Sequence, residues 1–534
     1  MRPRGRGELD SLYFDYPHFD PPRRPEVEPQ APVAVVGAGP VGMVAALTLA
    51  QHGVRSVLLD AKDTFNDGSR AICISRSSYH VLDHLGIAAP FLEKSLGWTK
   101  GRSFHRGRQI LEFDMPDSAD EKFRPMYNLQ QQYIEAFLWK AVASAPLIET
   151  RWQSKVTGLD QGPGCAVLTV EDPSGSYTLP ACWVIAADGA RSAVRGMCGL
   201  RLKGENHEGR YVIADVKMAH DYPTIRRALF DPVCRPGGTV LIHRQPDDIW
   251  RIDYQLREDE TTEEATREEK VRASVEGVLA EIGHGDGYEL EWWSVYSANT
   301  LLLDDYRHER VFFAGDSAHI VPIFGVRGLN NGIADAHNIG WKLAAVLNGK
   351  AGESLLDSYS PERRGATLDV FANASKSTRF MTPPSQGWRV MRDAALSLAL
   401  SRESAGQLAN PRQMTPHTYA DSPATTPDDP GFDAGPIPGA MIRDVALGDG
   451  FLSHRLGKGL TLMVFDQPDF DVPPGLSVLR LPANGPVARA YGAVQESAYL
   501  VWPDLHVAAR WRSVTEEKLL QALGRMAIGE EETA

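Results

Sequence analysis

Apolar and polar positions alternate in two different periods along this chain, and the change of period marks its parts. The stretch APVAVVGAGPVGMVAALTLAQHGVRSVLLD, from residue 31, gives an apolar strand, a glycine turn and an apolar helix. Gly53 stops that helix, and a second apolar strand follows, so the folded part opens on a βαβ unit. CWVIAADGARSAVRG repeats the strand-and-turn pattern, and VFFAG leads directly into Asp316. A glycine-spaced loop then precedes NGIADAHNIGWKLAAVL, whose apolar spacing is helical. Between these blocks, short runs such as YVIADVKM, TVLIHR and WRIDYQL are separated by turn residues, which predicts an antiparallel sheet. One charged amphipathic helix, TTEEATREEKVRASVEGVLAEIG, interrupts that sheet.

These patterns divide the chain. Residues 1–30, rich in proline and charge, are expected to form an extended surface arm. Residues 31–98, 125–202 and 300–400 carry the α/β text of a nucleotide-binding domain, and 99–124 with 203–299 the inserted antiparallel sheet. Residues 401–438, rich in proline and serine, read as a linker. Residues 439–534 give four strands and a helix, a small separate α/β domain. No internal repeat occurs.

Composition narrows the class. At 534 residues, two or three domains are expected. A hydrophobic share of 43% and a charged share of 23% are those of a soluble globular protein. A formal net charge of −13 argues against nucleic acid or an anionic membrane as the main partner. No apolar run reaches the ~18 residues of a membrane span, and MRPRGRGELD leads into no apolar signal segment. The five cysteines form no CxxC pair, so neither a disulfide frame, a zinc site nor thiol–disulfide chemistry is expected, and no metal site is. The expected compartment is the cytoplasm.

The chemistry lies in three motifs. In Gly37-x-Gly39-x-x-Gly42, Gly37 permits a tight turn and Gly39 lets backbone approach a pyrophosphate. Gly42 lets helix and strand pack closely, and the helix amino end offers free N–H groups to phosphates. Asp60 ends the second strand, where it can accept hydrogen bonds from ribose hydroxyls. The second motif is Asp188-Gly189-Ala190-Arg191-Ser192 with Val194 and Arg195, and the third is AGDSAH. GSRAICIS, LQQQYIEAFL, WKL and YSPER stand between and after them.

Together these motifs resemble those of the class A FAD-dependent aromatic hydroxylases, the para-hydroxybenzoate, phenol and 3-(3-hydroxyphenyl)propionate hydroxylase type. The resemblance covers roughly residues 31–370 and extends more loosely to the end, where the phenol hydroxylase branch carries a thioredoxin-like domain. It implies an α/β fold: a Rossmann-type FAD-binding domain, an inserted antiparallel substrate domain and a thioredoxin-like C-terminal domain. It implies FAD held by Gly37, Gly39, Gly42, Asp60, Arg70, Gln131, Asp188, Asp316, Gly325, Gly328, Leu329 and Asn330. Asp316 accepts from a ribityl hydroxyl in this picture, and the helix starting near Asn330 directs its positive end at the flavin pyrimidine. The implied reaction is hydroxylation of a phenolic ring with NADH or NADPH and O2 by way of a flavin C4a-hydroperoxide. The partners are then a small aromatic substrate and O2, and the C-terminal domain covers the active-site domain or a homodimer contact.

One position departs from the family pattern, which has two prolines after His319; this chain reads Pro322-Ile323. Pro322 and Ile323 are expected at the oxygen-reacting face of the flavin. A phenol must lose its proton to become nucleophilic, so a base or relay is needed. His243 and Tyr254 are the candidates, with Arg251 nearby. Alternation places Arg251, Asp253 and Gln255 on one face of WRIDYQL, and Trp250, Ile252 and Tyr254 on the other. The rival readings are a flavin dehydrogenase or oxidase without oxygen insertion, and a non-catalytic FAD-bearing interaction protein.

Overall fold

A computed structural model describes residues 1–526, apart from 26, 119, 207–208, 258, 298, 323–326, 411–414, 449, 467–471 and 474, and the side chains of 374–377. Its largest sheet has eight strands. Four consecutive pairings in it are parallel: Val311–Phe313 with Gly175–Ala186, then Ala31–Val36, Ser56–Leu59 and Ile148–Arg151. The inner strands are apolar and buried on both faces, the composition that helices covering a parallel sheet require. Gly175–Ala186 runs on into an antiparallel ribbon with Ala166–Asp172 and Lys155–Gln161. Helices Pro40–Gln51 and Gly328–Leu347 pack against each other over this sheet. Gly332 and Gly340 allow that approach, since an added Cβ comes within 2.6 Å of Val41 and 2.7 Å of Thr48.

A seven-stranded sheet stands beside it, in the order Glu289–Ser297, Arg210–Lys217, Ile249–Gln255, Thr239–Arg244, Arg226–Phe230, Lys100–His105 and Arg108–Asp114. All its pairings are antiparallel except Arg226–Phe230 with Lys100–His105. Val212, Val240, Ile252 and Tyr254 on one face pack against Val271, Val275 and Val278 of helix Glu268–Glu281. The other face is mixed. Tyr211, Ala228 and Leu241 join Cys73, Trp98, Met381 and Leu396 in a second apolar cluster, while charged side chains occupy the remaining positions.

Among the described residues of the first 30 there is no helix or strand, and the segment is fastened to the body of the protein. Phe19 stacks on Trp152 with centroids 4.3 Å apart. Arg2 is ion-paired with Asp67 of the first domain at 2.8 Å and with Glu291 of the seven-stranded sheet at 2.6 Å. Leu12 N–H also donates to Glu291, at 2.8 Å.

The C-terminal unit holds four strands in the order Ser477–Leu481, Thr461–Phe465, Ala498–Val501 and Val507–Trp511. Its first pair is parallel and the other two are antiparallel. Trp341, Ala351 and Leu355 of the first domain share a core with Trp502, Leu519 and Leu523 of this unit. The stretch 401–438 is no free linker either. Tyr419 is 2% exposed and accepts from Arg363 at 2.9 Å, and Ser422 donates to Glu362 at 2.7 Å. Among the described residues, no helix is long and apolar enough to cross a membrane, and no cluster of potential metal ligands occurs. All five cysteines are free.

Candidate functional site

The glycine turn sits where the first strand passes into helix Pro40–Gln51. Gly37 has φ +106°, and a Cβ there would lie 2.4 Å from the Ala187 carbonyl oxygen. A Cβ on Gly42 would lie 1.9 Å from the Gly37 carbonyl oxygen. At Gly39 it meets nothing within 4 Å, so the backbone there faces open space. The helix amino end has no side-chain cap and no acidic residue in its first turn, leaving N–H groups and a partial positive charge for an anion. Asp60 accepts the Ala38 N–H at 2.8 Å, which ties the second strand to the turn.

The other expected contacts converge on the same side of the sheet. Asp188 accepts the Val194 N–H at 3.1 Å, and so holds its own loop in shape. Arg195 joins the second motif to the third by donating to the Ser317 carbonyl at 2.9 Å. Asp316 is exposed, yet the surrounding protein pushes its carboxyl above the usual range. That combination belongs to the wall of a groove and not to a convex surface.

Behind it, His319 Nε2 lies 2.7 Å from Asp335 Oδ2, and Arg363 Nε donates to Asp335 Oδ1 at 2.7 Å. Burial drives the Asp335 carboxyl up, but Arg363 and His319 together hold it below the usual range. His319 is therefore a packed side chain that fixes the loop.

Helix Gly328–Leu347 also lacks a side-chain cap and an acidic first turn. Asn330 anchors its start: its carboxamide oxygen accepts the Ser75 N–H at 2.8 Å, and its nitrogen donates to the Cys73 carbonyl at 3.1 Å. Gly328 and Leu329 are half-buried beside it. Gln131 accepts the N–H groups of Arg70 and Ala71, both at 3.2 Å, so it shapes that loop with its side chain while the Arg70 side chain stays exposed. Pro322 is buried; Ile323 and Gly325 lie outside the described residues. An open turn at Gly39, two uncapped helix ends and an acid on the groove wall fit an extended dinucleotide.

The seven-stranded sheet meets this groove through Arg251. Its guanidinium forks onto Asp215 and donates to the carbonyl oxygens of Ser69 and Arg70. Cross-strand register puts His243 opposite Arg251, and Leu241 opposite Asp253. Arg251, His243 and Asp253 thus share the face turned toward the groove, with Arg226 on the neighbouring strand Arg226–Phe230. Tyr254 corrects the sequence expectation: it points the other way, into the apolar layer under helix Glu268–Glu281. Strand alternation requires this once Arg251 faces the groove.

His243 is buried and pushed down to about 3 by that burial and by Arg226 and Arg251, so it is neutral. Asp253, absent from the sequence candidates, is 3% exposed and its side chain makes no hydrogen bond to another described residue. Only its face was legible beforehand. A cavity of about 180 Å³ lies between helix Gly328–Leu347, helix Tyr359–Met381 and the C-terminal unit, with Asn330 among its lining residues. Arg363, Asp369, Asp504 and His506 line it, on a side of the long helix away from Pro40–Gln51. With these polar side chains in its wall, it is roomy enough for ordered water.

Comparison with known proteins agrees with this geometry. The FAD binding domain family matches residues 30–374. The chain belongs to that family. Among its relatives, a 3-(3-hydroxy-phenyl)propionate/3-hydroxycinnamic acid hydroxylase of Klebsiella pneumoniae (strain 342) is 30% identical over 385 residues, covering 70% of this chain and 66% of the relative. A hydroxylase of the same name from Mycolicibacterium smegmatis is 28% identical over 364 residues, covering 68% and 63%. The chain thus spans about two thirds of the length of these relatives. Among solved structures, a p-nitrophenol 4-monooxygenase from Pseudomonas putida DLL-E4 matches with TM-score 0.62 and 26% identity over 73% of this chain and all of that one. A flavin-dependent monooxygenase solved with FAD and substrate shares the fold over 94% of this chain, with TM-score 0.79 at 23% identity.

Proposed function

We propose that this protein is an FAD-dependent monooxygenase that hydroxylates a phenolic ring, using NADH or NADPH and O2. The observation that carries the reading is the junction made by Arg251, which fastens the polar face of the seven-stranded sheet to the Ser69–Arg70 loop beside the groove. A ring bound on that face lies against whatever occupies the groove. Family membership and the hydroxylase relatives support the same reading.

In this reading Gly37, Gly39, Gly42 and the amino end of helix Pro40–Gln51 hold the pyrophosphate, and Asp60 holds the ribose. Asp316 holds the ribityl chain, and the backbone of Gly328, Leu329 and Asn330 holds the pyrimidine edge of the flavin. Arg70, Gln131 and Asp188 shape the surrounding loops. The chemistry FAD supplies when bound is two-electron reduction by NADH or NADPH and insertion of one oxygen atom of O2 into a ring. The protein's own part is to orient the ring, manage its hydroxyl proton and exclude water. The C-terminal unit, read as thioredoxin-like in outline, packs against the first domain and has no cysteine pair for redox work. In this reading the protein acts in the cytoplasm and can form a homodimer.

The test is NADH and NADPH oxidation by purified, flavin-loaded protein with and without 3-(3-hydroxyphenyl)propionate, p-nitrophenol and simple phenols, with product analysis. Stimulated consumption with a hydroxylated product supports the reading. Consumption yielding only hydrogen peroxide for every phenol refutes it in favour of an oxidase.

A further inference from the structure

Two buried groups of opposite charge on the groove-facing sheet surface have no partner. Arg226 is 7% exposed and Asp253 3%. They feel each other's charge, but no ion pair joins them, and Asp253 Oδ1 is buried without a hydrogen-bond partner. The strand Thr239–Arg244 separates their strands, which stand about 10 Å apart. Leaving a buried charge unpaired is costly, so folding rarely leaves two on one face of a sheet unless something fits between them.

We propose that Asp253 and Arg226 act together on the substrate: the Asp253 carboxylate takes the proton of the phenolic hydroxyl, and the Arg226 guanidinium stabilises the ring oxygen anion that remains. The O–H bond of the phenol breaks, an O–H bond forms on Asp253, and the bonding pair stays on the ring oxygen. The step reverses before product leaves, so the proton is borrowed and not consumed. This rests on the phenol-hydroxylating reading above.

The other titratable groups around Asp253 do not suit the task. From the same sheet, His243 is held neutral by burial at about 3 and gains no proton near neutrality. Asp215 is committed to Arg251. Tyr211 hydrogen-bonds Thr382 at 2.9 Å, and burial raises both its hydroxyl and that of Tyr296. From the first domain, burial pushes the Cys73 thiol up to about 12. Burial lifts the Asp253 carboxyl to about 7, against the pull of Arg251 and Arg226 and with a further push from Asp215. A base works best when its pKa lies near the operating pH, and of these groups Asp253 meets that condition. Arg226, lowered to about 10 by burial, remains a cation there.

The test reads ionisation without turnover. Oxidised, FAD-loaded protein without NADH or NADPH is titrated with 3-(3-hydroxyphenyl)propionate, and the ultraviolet difference spectrum reports phenol or phenolate from about pH 5.5 to about pH 9. In the wild type the bound phenol should ionise with a midpoint near neutrality, well below the value of about 10 of a free phenol such as tyrosine. Asp253→Asn should bind the phenol un-ionised throughout and lose roughly 10²- to 10⁴-fold in hydroxylation rate. Arg226→Gln should move the midpoint upward, and Arg226→Lys should restore part of the shift. An unchanged midpoint in Asp253→Asn, or in Arg226→Gln where the asparagine variant loses its flavin, overturns the proposal. So does a wild type that hydroxylates the phenol yet binds it un-ionised. A wild type that neither binds nor hydroxylates any phenol refutes the underlying functional reading instead.

Discussion

Arg251 meets Asp215 as a two-pronged ion pair, with Nε donating to Oδ1 and Nη2 to Oδ2, each at 2.8 Å. Both side chains are almost fully buried, at 1% and 2% exposure. Such a pair is costly to break on one side only, because the survivor keeps its charge without solvent. Asp215→Ala should therefore lower stability by about 3–5 kcal/mol, while the double replacement Asp215→Leu with Arg251→Met should cost less. Denaturant midpoints decide this. A single variant as stable as wild type would show that water reaches the pair.

The turn glycines should separate packing from binding. Gly42→Ala places a methyl against the Gly37 carbonyl and should destabilise the domain itself. Gly39→Ala meets no protein atom, so the melting temperature of the flavin-free protein should stay near wild type while FAD occupancy falls. Calorimetry with flavin absorbance distinguishes the two. Equal loss of stability in both variants removes Gly39 from the ligand side of the turn.

Asp316→Ala should weaken FAD binding by about 1.5–3 kcal/mol, the worth of a hydrogen bond to a charged acceptor. We expect no covalent bond to the flavin, so acid precipitation should release it. Equilibrium dialysis against FAD measures the first point, and an unshifted dissociation constant excludes Asp316 from the site.

Buried neutral histidines set an acid limit. Burial lowers His52 and His80 to about 4 and His243 and His337 to about 3. Their folded values lie below the unfolded value of about 6.5, so the unfolded chain takes up protons first as pH falls. Stability from this source is complete above pH ~6.5 and declines down to pH ~3. The slope of unfolding free energy against pH should drop by up to about 1.4 kcal/mol per unit in His337→Gln. An identical slope would mean that His337 is already protonated in the folded protein.

Much of this was readable along the chain because it is local. Gly37, Gly39 and Gly42 lie within six residues, and VFFAG runs directly into Asp316, so spacing alone exposes strand, turn and helix. Asp253 was not singled out, although alternation grouped it with Arg251. Which face of an inserted sheet meets the groove depends on long-range docking, here Arg251 onto Ser69 and Arg70, and that leaves no periodic trace. Residues 401–438 misled for a related reason. Proline and serine look like a tether, while Tyr419 and Ser422 are buried by partners about 60 residues earlier in the sequence.

The clasp made by Arg2 bears on how such proteins can be recombined. Its two carboxylate partners, Asp67 and Glu291, belong to different modules, so the amino-terminal segment is matched to both at once. A chimaera that takes the sheet from one parent and the nucleotide module from another inherits half of that match, whichever parent supplies the first residues. Crossovers that look clean at the module borders would then leave a buried arginine or glutamate without its counterpart. Swaps in which residues 2, 67 and 291 travel together should be recovered as folded protein more often than swaps that split them.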